Sequence, residues 1–177
     1  MSYLAAIALG ANLPSPAGPP EQTLPAVMDD LAAAGTIVAR SSFYRTEPVG
    51  VAHQPPFVNA AVTLVADLDP EALLDVLLAI ERRYGRDRAS GTPNGPRTLD
   101  LDLLILGDLV VISPRLTLPH PALAERRFVL APLCEIAPNL RHPILGKSMA
   151  ELLAALPDEG PNRAAAVQKL PSLQTQH

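Results

Sequence analysis

From Thr98 to Leu106 the chain reads Thr-Leu-Asp-Leu-Asp-Leu-Leu-Ile-Leu, the apolar content of a core strand interrupted by two acids. On a strand, residues i and i+2 share a face about 6.6 Å apart. Asp100 and Asp102 therefore project to one side while Leu99, Leu101 and Leu103 take the other. The pattern demands a sheet with a packed face, and it sets two repelling carboxylates side by side on the opposite face. Taking such charges out of water costs several kcal/mol each unless cations stand near. Arg97 is one available cation and a divalent metal is a stronger one. Oxygen donors with no His or Cys nearby favour Mg²⁺ over Zn²⁺. The plainer alternative is an edge strand whose acids face water.

The remaining chain supplies a sheet for that strand. Its 177 residues, 48% hydrophobic and 18% charged, have the length and balance of one globular domain. Residues 4–9 read as a buried strand stopped at Gly10-Ala11-Asn12. Beyond a proline-rich loop, Leu24, Val27, Leu31 and Ala34 recur at helical spacing up to Gly35. Residues 37–44 and 57–66 read as strands. Asp69-Pro70-Glu71 opens a helix whose buried stripe is Leu73, Leu77, Ile80 and Tyr84, closed by Gly85. A charged loop, 86–96, precedes the strand 98–106, and a Gly107-Asp108 turn predicts a hairpin to a return strand, 109–112. The order β-α-β-β-α-β predicts an α+β, ferredoxin-like core, an antiparallel sheet with helices on one face. An extra C-terminal hairpin and short helices, around 128–136 and 148–156, complete it. Residues 1–157 form the single domain, and 158–177, which lack a period, are expected to be a loosely held tail.

Net charge is −4, which argues against a general nucleic-acid binder. Yet eight of the twelve arginines lie between Arg82 and Arg127 against five acids, a local excess of +3. The arginine fork suits phosphate, and beside a candidate metal site it predicts a nucleoside triphosphate, with Arg88 and Arg97 foremost. Glu81 opposes its helix dipole, so it pairs with Arg88, meets a ligand, or forms an ordinary surface pair with Arg82 or Arg86. His120, held between Pro119 and Pro121, is either a phosphate or sugar contact or merely structural. Gly146-Lys147-Ser148 is not a P-loop, because Arg141 stands where glycine is required. Cys134, the single cysteine, reads as a packing residue. No basic leader or long apolar stretch occurs, so neither a signal peptide nor a membrane span is expected, and a cytoplasmic location is. On the residues alone, a different Mg²⁺-dependent nucleotidyl or phosphoryl transferase and a non-catalytic binding module both stay open.

Five blocks carry a resemblance: Ser41-Ser42-Phe43-Tyr44-Arg45-Thr46, Phe57-Val58-Asn59-Ala60-Ala61-Val62, Gly95-Pro96-Arg97-Thr98-Leu99-Asp100-Leu101-Asp102, Leu118-Pro119-His120-Pro121, and Pro132-Leu133-Cys134-Glu135-Ile136-Ala137-Pro138. Over residues 3–156 the chain resembles the 6-hydroxymethyl-7,8-dihydropterin pyrophosphokinases of folate biosynthesis. The resemblance implies transfer of pyrophosphate from ATP to the pterin hydroxymethyl group, release of AMP, two Mg²⁺ ions, and a monomer with no nucleic-acid or membrane partner. It implies that Asp100 and Asp102 hold the metals and that Arg88 and Arg97 are catalytic contacts to the ATP phosphates. Glu81, Leu103, Arg115, Leu116, Thr117, His120 and Arg126 would join those arginines around ATP. The pterin would lie between Phe57 and Phe128, with Asn59 and the backbone of Thr46 to Val49 on its polar edge and Asn12 orienting Asn59. Pro93 and Asn94 depart from the pattern, standing where some relatives have a basic residue and Trp.

Overall fold

The computed structural model describes residues 1–48, 53–89, 91, 93 and 95–172. In chain order these form β1 (Tyr3–Ala11), α1 (Pro20–Asp30), β2 (Thr36–Arg40), β3 (Tyr44–Thr46), β4 (Phe57–Ala66), α2 (Pro70–Arg83), β5 (Asp100–Leu106), β6 (Val111–Ile112), β7 (Thr117–Leu118), α3 (Arg127–Ile136), α4 (Met149–Ala155) and β8 (Val167–Lys169). The local signals behave as their chemistry requires. Asp69 accepts the Ala72 N–H at the start of α2, Pro70 begins the helix, and Gly85 takes φ +85° just beyond its end.

β1 lies between β5 and β4; β4 pairs in turn with β2 and β3, and every neighbour is antiparallel. This order is compatible with the expected ferredoxin-like core. On one face Leu24, Val27 and Leu31 from α1 and its continuation, with Leu73, Leu77 and Ile80 of α2, pack on Ile7, Leu9, Val62, Leu64, Leu101 and Leu103.

The opposite face is also covered, which the expected motif lacks. There Val129, Leu130 and Leu133 of α3, with Met149 and Leu152 of α4, pack on Ala6, Ala61, Leu104 and Ile105. The alanines let α3 come close. A bulge in the β1–β5 pairing, between Ala6 and Ile7, puts the neighbours Leu104 and Ile105 into the same cluster.

Three further expectations are corrected. The 37–44 strand is divided at Ser41, whose N–H still donates to Ala61 O while its Oγ, rather than a backbone carbonyl, accepts the Ala61 N–H. The return strand after Gly107-Asp108 does not pair with β5; β6 pairs instead with β7, Thr117–Leu118. Tertiary partners decide this: Gly107 N–H donates to Leu4 O, His120 N–H takes Leu104 O, and Ser113 and Arg115 bind Glu71 on α2. Finally, part of the expected tail is held, since β8 pairs with β3 along Tyr44–Thr46.

Candidate active site

Register across the sheet aligns Asp100, Gly10, Asn59 and Tyr44 on four successive strands, on the face that α3 covers. Gly10 opens a gap in that row, where a Cβ would stand 2.7 Å from Asn59 Oδ1. Phe57 and Thr46 pair at the next position, and Arg126 and Phe128, at the start of α3, face them. These residues enclose a cavity of about 150 Å³ that also reaches Asp100 and Asp102. The guanidinium of Arg97 lies 5.4 Å from the Phe57 ring centre, and that of Arg126 lies 5.6 Å from the Phe128 ring centre. Asn59 Nδ2 donates to Thr46 Oγ1 at 2.7 Å, which fixes the amide and leaves Oδ1 beside Gly10. Asn12 does not hold Asn59 as expected. Its Nδ2 donates to Gln54 Oε1 and Pro55 O, and its Oδ1 accepts the Arg97 N–H, tying two loops together.

The two carboxylates have different surroundings. Asp100 is ringed by Arg97 at 3.2 Å and by Arg86 and Arg88, each at 3.5 Å. Arg86, which sequence reasoning left out of the site, also donates to Leu99 O; its only signal was its place at the head of the arginine-bearing loop. Glu81 is fully buried, accepting two bonds of 2.8 Å from Arg88 and one of 2.8 Å from the Leu101 N–H. The Arg88 partnership is therefore the one of its alternatives that the structure shows. Among the described residues Asp102 has no such partner: the nearest cationic candidate is His120 Nε2 at 4.0 Å. Burial, then the charges of Asp100 and Glu81, push its carboxyl up to about 7, with Arg88 and Arg126 only partly opposing.

Beyond Asp102 lies a second cavity of about 410 Å³, between β5, α2 and the β6–β7 hairpin, lined by Arg88, Leu103, Arg115, Leu116, Thr117 and His120. Asp102 is on the wall of both cavities. His120 Nδ1 accepts the Ala122 N–H, so the proton of the neutral ring sits on Nε2. Burial and Arg126 lower its pKa, which favours that neutral form. Arg115 reaches Glu71 and Asp75 on α2 at 3.0 and 2.5 Å. A third cavity of about 600 Å³, lined by Arg86, Arg88, Pro96 and Arg97, shares Arg88 with the second cavity and Arg97 with the first.

Most residues expected around ATP thus line the second cavity. Arg97 and Arg126 instead stand in the first, and Glu81 sits behind the wall. Val49 and Asn94 lie outside the described residues. Cys134 packs among α3 and α4 residues with its thiol pushed up to about 11 by burial, as a packing residue should be. Among the described residues no three or more His, Cys, Asp or Glu gather as a metal site. Two carboxylates still suit Mg²⁺, which takes one or two and completes its shell with water and substrate phosphate. The uncompensated charge on Asp102 fits such an ion.

The model of the family 7,8-dihydro-6-hydroxymethylpterin-pyrophosphokinase matches residues 6–138. A 2-amino-4-hydroxy-6-hydroxymethyldihydropteridine pyrophosphokinase of Pseudomonas aeruginosa is 44% identical over 159 residues, covering 89% of this chain and 94% of that protein. One of Methylorubrum extorquens is 42% identical over 159 residues, covering 89% and 96%. Among solved structures, wild-type Plasmodium falciparum HPPK-DHPS superposes with a TM-score of 0.67 at 15% identity, over 86% of this chain and 44% of that one. The chain thus spans less than half of that structure, and the likeness is one of fold.

Proposed function

The chain belongs to the 7,8-dihydro-6-hydroxymethylpterin-pyrophosphokinase family, whose reaction moves pyrophosphate from ATP to hydroxymethyldihydropterin in folate synthesis, and from that premise we propose how its two cavities share the work. The observation that carries the proposal is that Asp102 lines both. The smaller cavity offers two aromatic rings and an amide of fixed orientation, which suit a flat heterocycle with a polar edge. Its polar edge meets Asn59, and its hydroxymethyl group points to Asp100 and Asp102. The 410 Å³ cavity takes ATP, with the triphosphate running along Arg88 and His120 toward the same acids.

Transfer is then an in-line displacement. The hydroxymethyl oxygen gives up its proton to solvent and bonds to the β-phosphorus as the bond from that phosphorus to the α–β bridging oxygen breaks, and AMP leaves with that oxygen. Held by Asp100 and Asp102, two Mg²⁺ ions would neutralise phosphate charge and acidify the attacking alcohol. Glu81 fixes the Arg88 fork by two bonds, so the guanidinium meets phosphate without first being ordered. His120 Nε2–H is a donor for a phosphate oxygen. Arg97 reaches Asp100 from the ring side and is placed to follow the transferred group across the boundary. The proposal includes a cytoplasmic monomer without nucleic-acid or membrane partners, which sedimentation and fractionation test. Among the described residues no helix is long and apolar enough to cross a membrane. Product analysis with ATP, Mg²⁺ and the pterin tests the chemistry: AMP and a pterin diphosphate support it, whereas ADP means a simple kinase.

A further inference from the structure

We propose that residues 158–170 brace the two walls of the ring cavity against each other, with Asn162 as the positioning residue; the inference rests on the ring-site reading above. This segment lies beyond the residues that the family model matches.

One wall is the first turn of α3, which carries Arg126 and Phe128. That helix starts without a side-chain cap of its own. Asn162 supplies one from far along the chain: its Oδ1 accepts the Arg127 N–H at 3.0 Å, its Nδ2 donates to Glu125 O at 2.9 Å, and its carbonyl accepts Arg127 Nε at 2.5 Å. The other wall is the end of β3, Thr46, with Glu47 just beyond it. The same segment pairs with it through β8, Ala166 O accepts the Glu47 N–H, and Arg163 reaches the Glu47 carboxylate at 3.4 Å. Lys169 adds an ion pair to Glu135 of α3, which also accepts from Ser42 and Tyr44. Thus one short segment grips Phe128's helix at one end and the strand that orients Asn59 at the other. No described residue of 158–170 lines the 410 Å³ cavity. A loosened brace therefore changes the spacing of the ring site and leaves the nucleotide site alone.

Calorimetric titration and steady-state kinetics test this with the full chain. Asn162→Ala should raise Kd and KM for the pterin about tenfold, while Kd for a non-hydrolysable ATP analogue and kcat stay within about twofold. Asn162→Asp, which keeps the acceptor for the Arg127 N–H, should recover most of the loss. Arg163→Ala, at the exposed β3 end, should weaken the pterin in the same selective way even if Asn162→Ala folds poorly. Unchanged pterin affinity, or equal weakening of pterin and nucleotide, overturns the brace. Phe57→Ala is the control: if it leaves pterin binding intact, the ring-site assignment fails, whereas if it weakens binding and the brace variants do not, only the brace fails.

Discussion

Asp102→Asn tests the electrostatics of the site in the metal-free protein. Moving a carboxyl from 3.8 to about 7 corresponds, at about 1.4 kcal/mol per pH unit, to about 4 kcal/mol at full strength. The side chain keeps 32% of its exposure, so water screens part of this, and about half, ~2 kcal/mol, is the expected gain on substitution. The sign follows from proton binding. The folded state holds the Asp102 proton more tightly than the unfolded chain, so the wild type loses stability as pH rises from about 4 through 7. At pH 8 asparagine removes that penalty; at pH 5 the folded wild-type carboxyl is protonated but the unfolded one is already ionised, so about a third of the gain remains. For a chain of this length ~2 kcal/mol is about 4–8 °C in Tm. Thermal melts in chelator should show the variant higher by that amount at pH 8 and by about a third of it at pH 5. Adding Mg²⁺ at pH 8 should raise the wild type more than the variant. A variant that melts lower at pH 8, or gains equally at both pH values, refutes the account of Asp102 as an uncompensated charge.

Other substitutions separate the cavities. Asn59→Ala should weaken the pterin by about 1–3 kcal/mol and leave an ATP analogue unaffected, as read by calorimetry. Gly10→Ala should abolish pterin binding, since the new methyl meets Asn59 Oδ1, and measured Kd for the nucleotide should hold. Arg88→Ala should lower kcat far more than it raises Kd for the ATP analogue; an unchanged kcat removes Arg88 from the mechanism. Glu81→Gln should cost about 1–3 kcal/mol in thermal melts and lower kcat as well, because it releases Arg88 and disturbs the bond to the Leu101 N–H.

What the sequence made legible was local. The alternation of Asp100, Leu101 and Asp102 follows from strand geometry alone, and the capped start of α2 follows from Asp69 and Pro70. The Glu81–Arg88 pair was legible as one alternative, because a carboxylate at a helix end needs a partner. What stayed hidden depends on residues distant in sequence. The Gly107-Asp108 turn signal predicts a hairpin, and Leu4, Leu104 and Glu71, which fix that segment instead, are invisible to it. Val167–Lys169 is too short to show a period and becomes a strand only through β3. Thr46, expected to offer its backbone to the ligand, proves to orient Asn59 through its hydroxyl, and Asn12 is occupied with Gln54, Pro55 and Arg97.

The central claim is that ring and nucleotide occupy separate cavities that meet at the acid pair. A crystal structure with Mg²⁺, a non-hydrolysable ATP analogue and the pterin tests it most directly. The account predicts the ring between Phe57 and Phe128, the triphosphate along Arg88 and His120, and both reacting ends against Asp100 and Asp102. A nucleotide base stacked between Phe57 and Phe128, or phosphates bound away from the two acids, would contradict it.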